Sequence, residues 1–213
     1  MNPPTRPEIL RLDDVSFAYD GQPALISRWS ASIGAGVTLL HGDTGSGKST
    51  LLRVLAGRLP AAGGRLTLAG VRLDDDAEAY RRNLFFCVPT TDAFEQVTAR
   101  AGSASLRAGD AQFSEARWRD LVEGFALAPH LDKPMFMLST GSKRKVWLAA
   151  ALASGRSLIL LDEPAGALDA ASVRCLWSAL ASLAAGSRQA VVVASAERVE
   201  RVALAGLIEL PLA

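Results

Sequence analysis

The chain is 213 residues long, with 23 Lys and Arg against 22 Asp and Glu, a formal net charge of +1, and 49 % hydrophobic but only 6 % aromatic residues. That length suits one α/β domain, or one domain with a subdomain, and near-neutrality removes any bulk electrostatic argument for nucleic acid or an anionic membrane. Two cysteines, Cys87 and Cys175, sit in apolar surroundings without metal-ligand spacing, which excludes a disulfide scaffold and reads as reduced core residues.

In chain order, the N-terminal residues carry no apolar leader, and no uninterrupted apolar run reaches the roughly 18 residues of a membrane helix. The expectation is a cytoplasmic chain that meets a membrane only through a partner. Ile9 to Tyr19 alternates as a strand, with Val15, Phe17 and Tyr19 on one face, and Asp20-Gly21 turns the chain. Tyr19 reads either as a strand residue or as an aromatic plate for a nucleotide base.

Val37 to Leu40 suits a buried strand, and Leu51 to Leu59 is apolar enough for a buried helix. Between them Gly42 to Thr50 reads Gly-Asp-Thr-Gly-Ser-Gly-Lys-Ser-Thr, a G-x-x-x-x-G-K-[ST] phosphate loop with Gly42, Gly47, Lys48 and Ser49 in the fixed positions. The three glycines at 42, 45 and 47 are expected to take positive φ and let successive N–H groups close on phosphate oxygens. The candidate nucleotide-binding residues are therefore Gly42, Asp43, Thr44, Gly45, Ser46, Gly47, Lys48, Ser49 and Thr50. Lys48 can bridge the outer phosphates, and the Ser49 hydroxyl can join the shell of a magnesium ion.

Leu59-Pro60 ends that helix, Gly63-Gly64 turns into a strand from Arg65 to Leu68, and Asp74-Asp75-Asp76 reads as a solvated turn, since adjacent carboxylates do not all converge on one ion. Leu84 to Val88 is a buried strand ending at Pro89. Thr91 to Pro134 turns polar with helical periodicity, Ser114 being an N-cap ahead of Trp118, Leu121, Val122 and Phe125. Leu138-Ser139-Thr140-Gly141-Ser142 then precedes a helix from about Lys143 to Ala153. Its start reads as a second anion site built on Ser139 and Gly141, or as a capped surface helix. Lys143, Arg144 and Lys145 oppose the helix dipole there unless an anion or carboxylate faces them.

Ser157 to Leu161 is an aliphatic strand that delivers Asp162 and Glu163 at its C-terminal end, where open α/β sheets bind ligands. Asp162 can hold magnesium through water, and Glu163 can orient or deprotonate an attacking water. Ala167-Leu168-Asp169 leads into a helix with Val173, Leu176, Trp177, Leu180 and Leu183 on one face. Ala190 to Ala194 is a last buried strand, followed by Ser195-Ala196-Glu197, a short helix, and a closing segment from Leu207 to Leu210.

With these pieces in this order, the chain resembles the ATP-binding cassette family, the nucleotide-binding subunits of ABC transporters. Gly42 to Thr50 is similar to its Walker A loop, Leu138 to Ser142 to its Leu-Ser-Gly-Gly-Gln signature, Leu158 to Glu163 to its Walker B strand with the catalytic glutamate, and Ala167 to Asp169 to its D-loop. The resemblance implies an α/β phosphate-loop NTPase of the ATP-binding cassette type over residues 1–213, with a mixed sheet core, an N-terminal β part and a helical signature subdomain at about 91–152. It implies ATP and Mg2+ as ligands, Glu163 and Lys48 as catalytic, and Tyr19 stacking on adenine. It further implies a head-to-tail dimer holding ATP between one Walker A loop and the other subunit's Ser139 and Gly141, with Asp169 at the dimer contact, and transmembrane permease subunits as partners on the inner face of the cell membrane. No nucleic acid is implied.

Four positions depart from the family pattern. Thr90 stands where the family has a glutamine and offers only a short-reach hydroxyl to magnesium or water; Ala196 stands where it has a histidine; Thr140 and Ser142 replace a glycine and the glutamine of the signature. Removing one transition-state donor costs roughly a hundred- to a thousand-fold in rate. The expectation is firm ATP binding with slow hydrolysis, the second reading being a nucleotide-gated regulatory cassette and the third a small nucleotide kinase. A membrane subunit is expected in the groove between Thr90 and the helical insert, where Phe94, Val97 and Leu106 either meet it or are buried within the insert.

Overall fold

The computed structural model describes residues 7–87, 94–186 and 188–212. Thr90, expected at the magnesium site and the partner groove, lies outside the described residues.

Two sheets share the work. Strand β1 (Glu8–Phe17) pairs antiparallel with β2 (Ile26–Gly34) on one side and β4 (Gly63–Leu68) on the other, and β4 pairs with the short β5 (Val71–Arg72), giving a four-stranded sheet. The second sheet is wholly parallel and ordered β6-β7-β8-β3-β9, from β6 (Leu84–Cys87), β7 (Leu158–Asp162), β8 (Ala190–Ser195), β3 (Gly36–His41) and β9 (Leu204–Glu209). The mixed sheet character is thus divided between an antiparallel N-terminal sheet and a parallel core sheet.

Parallel strands covered on both faces are aliphatic throughout, and this is what Leu158–Leu161 and Ala190–Ala194 show, every residue being buried. One face packs on helix α1 (Lys48–Leu55) and the N-terminal sheet, in a cluster that joins Leu51, Leu52 and Leu55 to Leu10, Leu12 and Leu68. The other packs on α5 (Thr140–Ala153) and α6 (Ala170–Gly186), with α3 (Ala99–Arg107) and α4 (Glu115–Gly124) stacked beyond them. From Val146 to Ala153 every residue of α5 is buried, so this helix is a pillar of the core with its first two turns, Thr140 to Lys145, at the surface.

Several expectations change here. Strand β2 has no counterpart in the sequence reading, since most of its residues between Ile26 and Ile33 are exposed or half-buried and its apolar signal is thin. Asp74-Asp75-Asp76 is the exposed turn expected, with Asp75 facing Arg72 at 3.5 Å, but it leads into a helix the sequence reading lacked, α2 (Ala77–Arg82), which Asp76 caps by accepting from the Ala79 amide. The helix expected to reach Leu59 stops at Leu55, with Gly57 at φ 62° turning the chain out. No helix follows Glu197; residues 196–203 are bends and irregular backbone, tied by the Glu197 amide on Ser195 Oγ and by Arg198 on Glu209.

In the insert, Ser114 caps α4 as expected by accepting from the Arg117 amide. Phe94 stacks edge-on against Trp147 with ring centroids 5.4 Å apart, and Leu106 packs on the core, so both belong to the interior of the insert, whereas Val97 is exposed. Cys175 is half-buried and unbridged, and burial pushes its thiol up. Among the described residues no helix is long and apolar enough to cross a membrane.

Candidate functional site

The strand order places the site. In parallel register Leu40 and Asp162 both face Ala194, so β3, β8 and β7 end in one row and release the phosphate loop, Ser195-Ala196 and Asp162-Glu163 side by side. They open into a cleft of about 700 Å3 lined by loop residues from Thr44 to Thr50, by Glu163, Ala165 and Gly166, by Val173 and Trp177 of α6, and by Ser195 to Glu197.

The phosphate loop is built around its backbone. Gly45 and Gly47 take φ of 84° and 98°, as expected, but Gly42 does not have positive φ. It is needed for space: a Cβ there would lie 2.7 Å from Ser46 Oγ and 3.2 Å from the Leu210 carbonyl. Helix α1 begins at Lys48 with Gly47 as a cap that offers no side-chain acceptor and with no acidic residue in its first turn, so its leading amides and positive dipole end face the cleft. Lys48 is only 6 % exposed, and its ammonium donates to the Gly42 and Asp43 carbonyls at 2.6 and 3.0 Å.

Across the cleft, Lys48 Nζ stands 3.4 Å from Glu163 Oε1. The same oxygen accepts from the Ala196 amide at 3.0 Å, so the position that lacks an imidazole still supplies a donor, through its main chain, to the carboxylate. Glu163 has φ 43°, the left-handed region that costs a non-glycine residue about 1–2 kcal/mol, and its amide is bound by the Ala194 carbonyl at 2.9 Å. Asp162 beside it keeps Oδ1 buried with no hydrogen-bond partner, and Ser46 Oγ in the loop is likewise buried and unpaired. Buried polar atoms are almost always satisfied, so an orphan carboxylate oxygen next to a phosphate loop fits a site for a hydrated cation. Ser49 lines the same cleft.

Tyr19, expected at the base, is 41 % exposed at the rim; its hydroxyl meets Thr50 Oγ1 at 2.9 Å and its ring packs edge-on against Phe17 at 5.0 Å. It is anchored to the loop while keeping its ring open to solvent.

The residues expected to form a second anion site lie elsewhere. Neither Ser139 nor Gly141 lines the cleft. Ser139 caps α5, accepting from the Ser142 amide at 3.1 Å. The three basic residues of the first two turns each have an acceptor: Lys143 reaches Glu95 at 2.5 Å, Arg144 reaches the carbonyls of Glu163 and Gly166, and Lys145 reaches Asp169 at 2.6 Å. The reading of a basic, solvated first turn therefore gives way to one in which every cation is held. Asp169 also caps α6, accepting from the Ser172 amide and hydroxyl at 2.9 and 3.0 Å, and the Lys145 ammonium with these donors holds its carboxyl well below the usual carboxylate range. The residue expected at a dimer contact is thus already occupied within its own chain.

Sequence reasoning missed Trp177 as a wall of the cleft, the Ala196 amide, and Arg144 as a clamp. Trp177 was assigned to the apolar face of its helix, where one edge packs on the core while the rest meets the cleft.

The family model described as ABC transporter matches residues 28–166. Among curated proteins, the chain is 37 % identical over 89 % of its length to the cytochrome c biogenesis ATP-binding export protein CcmA of Rhodospirillum rubrum, covering 81 % of that protein. It is 32 % identical over 88 % of its length to the zinc import ATP-binding protein ZnuC of Halorhodospira halophila, covering 67 % of it. Among solved structures, the ATP-binding subunit of an ABC transporter superposes with a TM-score of 0.76 at 24 % identity, over 88 % of this chain and 79 % of that one. A cassette in a dimeric post-hydrolysis state with ADP and phosphate superposes at 0.74 and 21 % identity, over 89 % and 88 %. At these identities the structures show a shared fold.

Proposed function

We propose, since the chain belongs to the ABC transporter family, that it is the ATP-binding subunit of a transporter, closing head-to-tail with a second cassette around ATP and hydrolysing it slowly to drive separate membrane subunits. The observation that carries this reading is the meeting of Lys48, Glu163 and the free start of α1 in one cleft, while the second anion site at Ser139 and Gly141 stands outside it. One nucleotide can use both sites only when two chains face each other.

In that reading the amides of Asp43 to Thr50 and the Lys48 ammonium hold the β- and γ-phosphates, Ser49 and Asp162 hold Mg2+, and Tyr19 offers its open ring to adenine. A magnesium ion held there would supply positive charge to offset charge developing on the phosphate oxygens. Glu163, fixed through the Ala196 amide, accepts a proton from or orients the attacking water, and a γ-phosphate that draws Lys48 away frees the carboxylate for that water. Exposed Val97, Phe136 and Met137 beside the start of α5 supply an apolar face for a membrane subunit, which would hold the chain to the inner face of a membrane.

One observation favours the second reading, a nucleotide-gated cassette with little turnover: Ala196 contributes only its amide, and that amide is already committed to Glu163. The experiment is steady-state ATP hydrolysis with magnesium by the purified chain and by Glu163→Gln, with oligomeric state followed as ATP is added. The expected result is slow turnover, at least about 100-fold lower in Glu163→Gln, and a dimer trapped by ATP in that variant. ATP binding and dimerisation without turnover would move the assignment to the gated cassette, and absence of ATP binding would overturn both.

A further inference from the structure

The sharp turn that presents Glu163 is gripped from outside by the side chain of Arg144. Glu163 is in the left-handed region, and the turn it opens closes on itself through the Gly166 amide donating to the Glu163 carbonyl at 3.1 Å. Arg144 Nη1, from the second turn of α5, donates to that same Glu163 carbonyl at 3.0 Å and to the Gly166 carbonyl at 2.5 Å, gripping both ends of the turn. The guanidinium sits close against the turn: a Cβ on Gly166 would lie 2.5 Å from Arg144 Nη1. The neighbouring contacts belong to the same seam, since a Cβ on Gly141 would lie 2.5 Å from the Ala167 carbonyl and Lys145 binds Asp169.

We infer that Arg144 is a positioning residue for the catalytic carboxylate: it holds the Glu163–Gly166 turn in the conformation that aims Glu163 at the cleft, and ties it to the helix whose first turn carries Ser139 and Gly141. Three properties suit the guanidinium to this. It carries a permanent charge, its Nη1 amino group presents two coplanar N–H donors to two carbonyls, and it is tethered to a helix that is buried from Val146 to Ala153, so it does not drift. Its Nε is buried with no acceptor, so the side chain keeps this pose at the cost of an unmade hydrogen bond, as a group held for its other contacts would. Lys143 and Lys145 cannot replace it, being bound to Glu95 and Asp169. The consequence rests on the proposed function: a displacement of the start of α5 by phosphate is passed to Glu163 of the same chain, which serves the other nucleotide of the dimer.

The test compares the unmodified chain with Arg144→Met and Arg144→Lys. Amide hydrogen exchange is followed over peptides spanning residues 163–168, alongside kcat and KM for ATP hydrolysis and equilibrium ATP binding. In Arg144→Met, exchange at the Gly166 and Leu168 amides should rise at least about tenfold with the rest of the chain unchanged, kcat should fall about ten- to a hundredfold, and KM and ATP affinity should stay within about twofold. Arg144→Lys, which can reach a carbonyl with one cation, should recover part of both losses. Unchanged exchange in that segment, or a fall in kcat matched by weaker ATP binding and faster exchange throughout the chain, would overturn the assignment. Should the unmodified chain bind ATP without turning it over, hydrolysis fails as a function while the exchange comparison still decides whether Arg144 holds the turn.

Discussion

Lys48 and Glu163 stand 3.4 Å apart, and each has a second tie, Lys48 to the loop carbonyls and Glu163 to the Ala196 amide. Glycine is required in this loop for two different reasons. Gly42 is required for space, whereas Gly47 is required for both space and conformation, with φ 98° and a would-be Cβ 2.4 Å from Leu25 Cδ1. Gly47→Ala should lower stability by about 1–2 kcal/mol from the backbone alone and weaken ATP binding at least tenfold, measured by denaturant unfolding and calorimetric titration. Adding Leu25→Ala removes the clash and leaves the φ penalty, so the double variant should recover part of the loss; full recovery would mean that conformation was never the issue.

At the scale of elements, α5 and α6 are joined by Lys145 and Asp169, and Asp169 also caps α6. The Asp169 carboxyl titrates below the ordinary range because the Lys145 ammonium and the Ser172 donors favour its charged form. Its folded pKa is lower than its unfolded one, so its contribution to stability is complete above the unfolded value of about 3.9 and is lost as pH falls through the folded value. The difference in melting temperature between the unmodified chain and Asp169→Asn should therefore be largest above about pH 5 and close progressively below about pH 4, as thermal scans over that range would show. Elements whose signal is local were legible in the sequence: the buried parallel strands are continuous aliphatic runs, and the loop before α1 is specified by glycines its backbone requires. Strand β2 was not, because a strand with one wet face and three register shifts against β1 carries neither a continuous apolar run nor clean alternation. Helix α2 was hidden for another reason, its cap Asp76 being one of three consecutive aspartates that read as a turn.

Over the whole molecule, the two helix starts proposed to hold anions serve different places, α1 at the cleft and α5 outside it. The motifs behind both proposals stand out in the sequence, since each is a short stretch of contiguous residues. Their separation does not, because it depends on strand order. A head-to-tail dimer makes a complementation test available. Lys48→Ala should disable the first site, and Ser142→Asp should disable the second, since an acid in the first turn of α5 favours the helix while repelling phosphate. Each variant alone should be inactive, and an equal mixture should regain about a quarter of the unmodified rate, because about half the dimers are mixed and each of those holds one intact site. No recovery on mixing would argue against the head-to-tail arrangement.

Trp177 gives the molecule a built-in optical reporter. Of the four tryptophans, Trp118 and Trp147 are buried in the core and Trp29 lies at a groove beside β9, so Trp177 is the tryptophan that lines the cleft with the phosphate loop. Indole emission shifts with the polarity and quenchers around the ring, so filling the cleft with ATP should change the intrinsic fluorescence without any label, and Trp177→Phe should abolish that change while leaving the affinity within about twofold. Stopped-flow recording of this signal would then time nucleotide arrival and cleft closure as separate phases in the native chain.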